Sequence, residues 1–360
     1  MHPLNSVFQH DWPKEDLQFI NGCPICASQK RSVLSDQLVD NVYFCSPGKW
    51  SLWRCGNCSC AYLNPRPSEA SIYRAYGNYA THQYADDRAN YNKLSLIRKL
   101  KRRLVNGYSK WRYNAKNIPS TKFGVLVAFL IPFFKKTIDR QYRHLPKYSY
   151  SGALLDVGCG NGAFLDIAEN CGWNATGLDF DPDATVNATI KNFKVLTGDL
   201  RYFSNQSELF DVITLAHVIE HIHDPTEALT ICFNLLKPGG TLWIETPNIE
   251  SYGQYLFKEN WRGLEAPRHL VLFNRNQLIQ LLRSSGFLDI KDCPIPSPSK
   301  YIYSTSYAMS IGEKPNPNQQ ISLKLKLLRF IADIACIAQK NKREFITLTA
   351  KKGPVQHGNY

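Results

Sequence analysis

Five short runs of leucine and β-branched residues recur along the middle of the chain, at 154–157, 174–179, 195–198, 210–217 and 236–245. Between the first two, Ala163–Asn170 places apolar residues at helical spacing, which predicts an amphipathic helix. Strands that alternate with helices predict a parallel sheet in an α/β fold. Further on, Asn276–Ser285 reads as a helix closed by Gly286, and Phe287–Asp292 and Arg343–Lys351 read as two more strands. Between those strands lie the turn-rich Pro294–Pro298 and Pro315–Pro317. An amphipathic helix over Ile321–Lys340 then sets Lys324, Lys326 and Arg329 against Leu327, Phe330, Ile331 and Ile334.

The first strand feeds the turn Gly158-Cys159-Gly160-Asn161-Gly162. Its spacing is not the G-x-G-x-x-G of dinucleotide-binding loops, and no Lys-Ser/Thr pair follows as a P-loop requires. Asp179 ends the second strand, where a doubly wound fold puts an acid to accept hydrogen bonds from ribose. The acid Asp156 followed by G-x-G-x-G resembles motif I of the class I S-adenosylmethionine-dependent methyltransferases. That resemblance implies a Rossmann-like seven-stranded α/β sheet, closed by an antiparallel pair, with S-adenosyl-L-methionine as cofactor. It also implies that Asp156, Gly158, Cys159, Gly160, Asn161 and Gly162 face the cofactor, with Phe180 on the adenine, Asp199 and Leu200 at its edge, and Ala216 at the end of strand four.

Cys23-Pro-Ile-Cys26 and Cys55-Gly-Asn-Cys58 form two C-x-x-C knuckles among eleven cysteines. Each knuckle can fill two corners of a tetrahedron, so the four thiolates predict a structural Zn²⁺ site in a zinc ribbon. The alternating residues near Val39–Phe44 and Leu52–Arg54 are expected to be its strands; Cys45 and Cys60 are spare, and Cys60 could replace Cys58. Residues 1–17 hold acids and a proline and no apolar run, so the expectation is a cytoplasmic protein with reduced thiols. The knuckles, the turn Asn64-Pro65-Arg66-Pro67 and the tyrosines Tyr73, Tyr76 and Tyr79 together look like a bacterial methyltransferase subfamily associated with surface-glycan and secondary-metabolite pathways. The tyrosines are expected either to lid the cofactor pocket or to pack ribbon on core.

Between Arg88 and Lys147 sixteen lysines and arginines face one acid, Asp139, enough to account for the net charge of +13. Inside lies the apolar run Phe123–Phe134, twelve residues, too short to span a bilayer that needs about 20. It suits peripheral association with the inner face of a membrane; a nucleic-acid patch and a buried helix with a solvated basic face are the other readings.

The residues that could do chemistry lie after strand four, at His217, Glu220 and His221. On a helical turn these three share a face. The Asn/Asp-Pro-Pro-aromatic motif of base-amine methylation is absent. The stretch is similar to the Glu-x-x-Glu-His pattern of ubiquinone-pathway O-methyltransferases, where such residues can bind a divalent ion, but His217 replaces the first Glu. Ordering of the loop beside the pocket is the alternative role. Trp261-Arg-Gly263 and Pro267-Arg268-His269 also occur in the bacterial subfamily, in a loop expected to overhang the acceptor. There His269 is a candidate general base, and Arg268 a candidate clamp for an acceptor anion. Capping of the next helix is the alternative for both.

These readings predict a zinc ribbon over 1–67, a basic lid and linker over 68–150, a methyltransferase core over 151–293, an insertion over 294–342 and a last core strand over 343–353. The function expected is methyl transfer to oxygen or carbon of a small or lipid-linked acceptor, a sugar derivative first. The alternatives are an RNA methyltransferase and a non-catalytic S-adenosylmethionine-binding scaffold. Oligomeric state is not legible.

Overall fold

The structure is a computed structural model and describes residues 11–77, 94–147 and 152–353. Tyr79, Arg88 and Lys93 lie outside them. The chain begins with β1 (Leu17–Gln18), β2 (Arg31–Leu38), β3 (Trp50–Cys55), β4 (Ala61–Leu63) and β5 (Arg66–Pro67). β2, β3 and β4 pair antiparallel in sequence. Val39–Phe44, expected to be a strand, is instead a tight loop. Its cause is Asp40, whose carboxylate accepts the backbone N–H groups of Tyr43 (3.1 Å), Cys45 (3.0 Å) and Ser46 (3.1 Å) and so bends the chain around itself.

Three helices follow: α1 (Leu96–Tyr113), α2 (Phe123–Leu130) and α3 (Pro132–Gln141). Ser95 caps α1 through the Arg98 N–H, and Pro132 starts α3 where a missing N–H costs nothing. The apolar run expected over 123–134 is thus two helices broken at Ile131.

The main sheet is built from β6 (Ala153–Val157), β7 (Asn174–Asp179), β8 (Lys194–Thr197), β9 (Phe210–Ala216), β10 (Leu236–Pro247), β12 (Leu288–Asp292) and β13 (Phe345–Lys351), with β11 (Val271–Leu272) elsewhere. Helices α4 (Ala163–Asn170), α5 (Pro182–Ile190), α6 (Pro225–Leu235), α7 (Tyr252–Phe257), α8 (Arg275–Ser284), α9 (Ser299–Ser310) and α10 (Leu323–Ala338) intervene. The order across the sheet is β12-β13-β10-β9-β6-β7-β8. β6 to β10 run parallel, and β13 lies antiparallel to both of its neighbours. This is the seven-stranded Rossmann-like sheet, closed by an antiparallel pair, that the sequence leads one to expect. The central strands bury both faces, which is why they read as continuous apolar runs.

The chain leaves β6 in one direction towards β7 and β8, then returns to β9 on the other side of β6. Ligands bind at such a switch point, beyond the carboxyl ends of the strands.

The small sheet is not self-contained. β11 completes it in the order β11-β4-β3-β2, so a strand from residues 271–272 closes the N-terminal fold. Asn274 seals this join: it caps α8 and donates to the Cys58 carbonyl at 2.7 Å. α9 went unpredicted because its serines, threonine and tyrosines resemble a loop, yet most of it is buried against α7. On α10 the apolar face of Leu327, Phe330, Ile331 and Ile334 is exposed and does not pack on the core, while Leu325, Ala332 and Cys336 are buried.

Candidate active site

A cavity of about 440 Å³ opens at the switch point. Its floor is the glycine turn. Gly158, Gly160 and Gly162 all adopt positive φ (70°, 51° and 78°), which explains why three glycines stand there. A Cβ on Gly158 would meet Val218 Cγ2 at 2.4 Å. The Gly160 N–H donates to Asp179 Oδ2 at 2.8 Å, and the Asp181 N–H to Asp179 Oδ1 at 3.0 Å. Burial raises the Asp179 pKa, with these donors opposing, so a further donor from a ligand would be welcome.

Of the residues expected to meet the cofactor, Gly158, Gly160, Asp179, Phe180, Asp199, Leu200 and Ala216 line the cavity. Four do not. Asp156 is fully buried, outside the cavity lining, and its Oδ1 accepts from Arg143 and from Thr214 Oγ1 at 2.8 Å. Arg143 lies just beyond α3, so the acid ties the end of that helix to the sheet and does not line the cavity. Cys159 turns its thiol inward, where a Cβ on Gly177 would come within 2.6 Å of it. Asn161 Oδ1 accepts the Ala163 N–H (3.2 Å), and Gly162 backs onto Phe193. Both shape the turn. Asp199 faces the cavity but is tied to Arg201 (2.6 Å), which reaches on to Glu69 (2.8 Å) and so bridges the rim.

The histidines divide by environment. His217 does not share a helical turn with Glu220 and His221; it sits before a short 3₁₀ turn, Ile219–His221, in the left-handed region (φ 55°). Its ring still lies between two acids, with Nδ1 3.4 Å from Glu220 Oε1 and Nε2 3.4 Å from Glu245 Oε1. Burial alone would lower its pKa, but the two carboxylates raise it to about 9, so at neutral pH it is a cation. Glu220 is buried outside the cavity lining. Burial pushes its carboxyl up, and the surrounding histidines, His217 first, together with His221 and His269, outweigh this and hold it low.

His221 lines the cavity, and its Nδ1 is 3.0 Å from the Arg268 carbonyl and 3.0 Å from Tyr76 Oη. A carbonyl oxygen only accepts, so Nδ1 carries the hydrogen and Nε2 keeps the lone pair. Burial holds this imidazole below the ordinary histidine value, with Glu220 opposing. His269 lies behind His221, with ring centroids 4.7 Å apart. It is 4% exposed, its Nδ1 donates to the Gly263 carbonyl at 2.8 Å, and burial pushes it down to about 4. His269 is therefore a neutral support, not the cavity-facing base expected of it.

The loop around it does not overhang the cavity either. Arg268 is fully buried, bound to Asp40 and, through Nη1, to the Ala75 carbonyl at 2.8 Å. It is fully engaged inside the protein and has no hand free for an acceptor anion.

Tyr76 lines the cavity and packs edge-on against Phe180 (5.0 Å), whereas Tyr73 points to solvent. His223 also lines the cavity and was not anticipated. It directly precedes Asp224, the cap of α6, and its Nε2 donates to the Pro67 carbonyl at 2.9 Å.

Among the described residues, two groups of side chains could hold a metal. The sulfurs of Cys23, Cys26, Cys55 and Cys58 lie within 4.8 Å of one another, with Cys23–Cys58 at 3.5 Å and Cys26–Cys55 at 3.6 Å. A zinc tetrahedron with arms of about 2.3 Å has edges near ~3.8 Å, so these four fit Zn²⁺. Ala27 and Ser59, each just after a knuckle, both take positive φ and give the two turns the same shape. Cys58, not Cys60, completes the set. The second group is Glu220, His221 and His269, a different trio from the one expected.

Residues 131–291 match the family model described as a methyltransferase domain. A ubiquinone biosynthesis O-methyltransferase of Colwellia psychrerythraea is 31% identical over 113 residues, 29% of this chain and 46% of the relative. One from Xanthomonas oryzae is 33% identical over 156 residues, 38% of this chain and 65% of the relative. A solved SAM-dependent methyltransferase from Archaeoglobus fulgidus is 20% identical with a TM-score of 0.39, covering 68% of this chain and 98% of that one. The chain spans about half the length of the curated relatives it matches.

Proposed function

Residues 131–291 form a methyltransferase domain, and from that premise we propose that the protein is a class I enzyme that moves the methyl group of S-adenosylmethionine onto a hydroxyl of a small or lipid-linked acceptor, a sugar derivative being our first choice. The observation that carries this reading is His221, which lines the same cavity as the glycine turn and Asp179 and whose Nδ1 is held by the Arg268 carbonyl, which leaves Nε2 as its basic nitrogen. The relatives named as O-methyltransferases support oxygen over carbon.

S-adenosylmethionine supplies a methyl on a cationic sulfur, open to in-line displacement with a neutral thioether leaving. Gly158 and Gly160 would hold it by main chain, Asp179 by accepting from ribose hydroxyls, and Phe180 and Leu200 by packing on the base. The chain's work is positioning and proton handling. His221 Nε2 takes the acceptor's hydroxyl proton as the oxygen–carbon bond forms. The Arg268 carbonyl fixes the ring and its tautomer. His217, already protonated, donates and cannot serve as base. The four cysteines would hold a structural Zn²⁺ that ties the knuckles and, through Cys58 and Asn274, steadies the start of α8.

Asp179→Asn tests the cofactor half of this reading. It keeps the shape of the side chain and removes the charge, and S-adenosylmethionine affinity in equilibrium titration should fall about tenfold to a hundredfold. Unchanged affinity would place the cofactor elsewhere.

A further inference from the structure

The segment from Leu94 to Lys147 carries fourteen lysines and arginines and one acid, Asp139. That acid is buried and accepts from Tyr108 Oη (2.9 Å) and Tyr113 Oη (2.6 Å), so no carboxylate of this segment reaches the surface. α1 and α2 cross with their backbones almost touching. A Cβ on Gly107 would lie 1.8 Å from the Thr121 carbonyl oxygen, and one on Gly124 1.9 Å from that of Leu104. Because α2 turns its small residues Gly124 and Ala128 inward, its large ones face outward.

The result is a contiguous apolar face. Phe123, Leu126, Phe129, Leu130, Ile131 and Phe133 are each half or more exposed. Trp111 of α1 adjoins it, with its ring 5.8 Å from that of Phe129, and Lys135 Nζ stands 5.9 Å from the same ring. A patch of this kind marks a contact surface, and the charge around it selects the partner. Arg98, Lys101, Arg103, Lys110, Lys116 and Lys122 are exposed on the same hairpin. A second copy of this face would be repelled by them. A nucleic acid would satisfy the cations yet leave the phenylalanines and leucines in water. An anionic bilayer meets both needs, with phosphates for the cations and the acyl boundary for the apolar side chains. α2 has eight residues, about 12 Å of helix, and no helix among the described residues is long and apolar enough to cross a membrane.

We propose that the α1–α2 hairpin is a docking surface that lays the protein on an anionic lipid bilayer without spanning it. The proposal stands apart from the methyl-transfer reading and is tested without it. The full chain is floated with vesicles of phosphatidylcholine alone and with vesicles containing about one third phosphatidylglycerol. Binding to the anionic vesicles is expected, with little to the neutral ones. Phe129→Glu combined with Phe133→Glu should weaken it at least about tenfold, with circular dichroism and melting unchanged. Lys110→Glu with Lys116→Glu, which leaves the apolar face intact, should weaken it in the same direction. Absence of binding to any vesicle would overturn the proposal, as would equal binding by wild type and both variants. Tight RNA binding that survives the phenylalanine changes, without vesicle binding, would assign the surface to nucleic acid instead.

Discussion

His221→Gln is expected to lower kcat by about 10²- to 10⁴-fold, the range for loss of a positioned general base, while S-adenosylmethionine binds as before. The glutamine fills similar space and can still donate to the Arg268 carbonyl, but it offers no basic nitrogen. The pH dependence follows from the direction of the shift. Burial holds His221 below the ordinary histidine value of about 6.5, so the neutral form persists into mildly acidic solution. The acid limb of kcat/KM should therefore lie below that value and vanish in the variant. His217 titrates at the other end, at about 9, and should leave this limb untouched. A fall in kcat of less than about tenfold would mean that deprotonation is not what the site contributes.

Asp40→Ala should cost about 3–5 kcal/mol of stability, the penalty for leaving one member of a buried ion pair alone. Arg268 and Asp40 are both fully buried, and the arginine is also bound to Glu265 Oε1 at 3.2 Å. Removing Asp40 strips the guanidinium of its main counter-ion and the 40–46 loop of the oxygens that fold it. Arg268 also carries the carbonyl that orients His221, so the variant should lose transfer more than stability alone explains. Urea unfolding gives the first number and kcat at a temperature where the variant is folded gives the second. A loss under about 1 kcal/mol would mean that Glu265 or water takes over the role.

What was legible in the sequence was whatever depends on near neighbours. The parallel strands announced themselves because burial on both faces leaves continuous apolar runs. The glycine turn is readable because glycine takes its left-handed backbone without steric cost, and the knuckles because C-x-x-C brings two sulfurs together locally. What was misread depends on distant partners. Asp156 looked like a cofactor ligand until Arg143 claimed it from outside the strand. Arg268 looked like an acceptor clamp, but its counter-ion stands 228 positions earlier. His269 and His221 are equally histidine in the sequence, and only the fold shows that His221 lines the cavity while His269 is buried behind it. Val39–Phe44 alternates like a strand, yet one carboxylate folding the backbone N–H groups of Val42, Tyr43, Cys45 and Ser46 onto itself outweighs that pattern.

The central claim is that this chain methylates a hydroxyl at the His221 wall. The direct measurement is to incubate the protein with methyl-labelled S-adenosylmethionine and an extract of cells lacking it, then to partition the label. The account predicts label in a small-molecule or lipid-linked fraction, resistant to nuclease and lost with His221→Gln. Nuclease-sensitive label would make the protein an RNA methyltransferase, and S-adenosylmethionine binding with no transferred label would make it a scaffold; either result contradicts the claim.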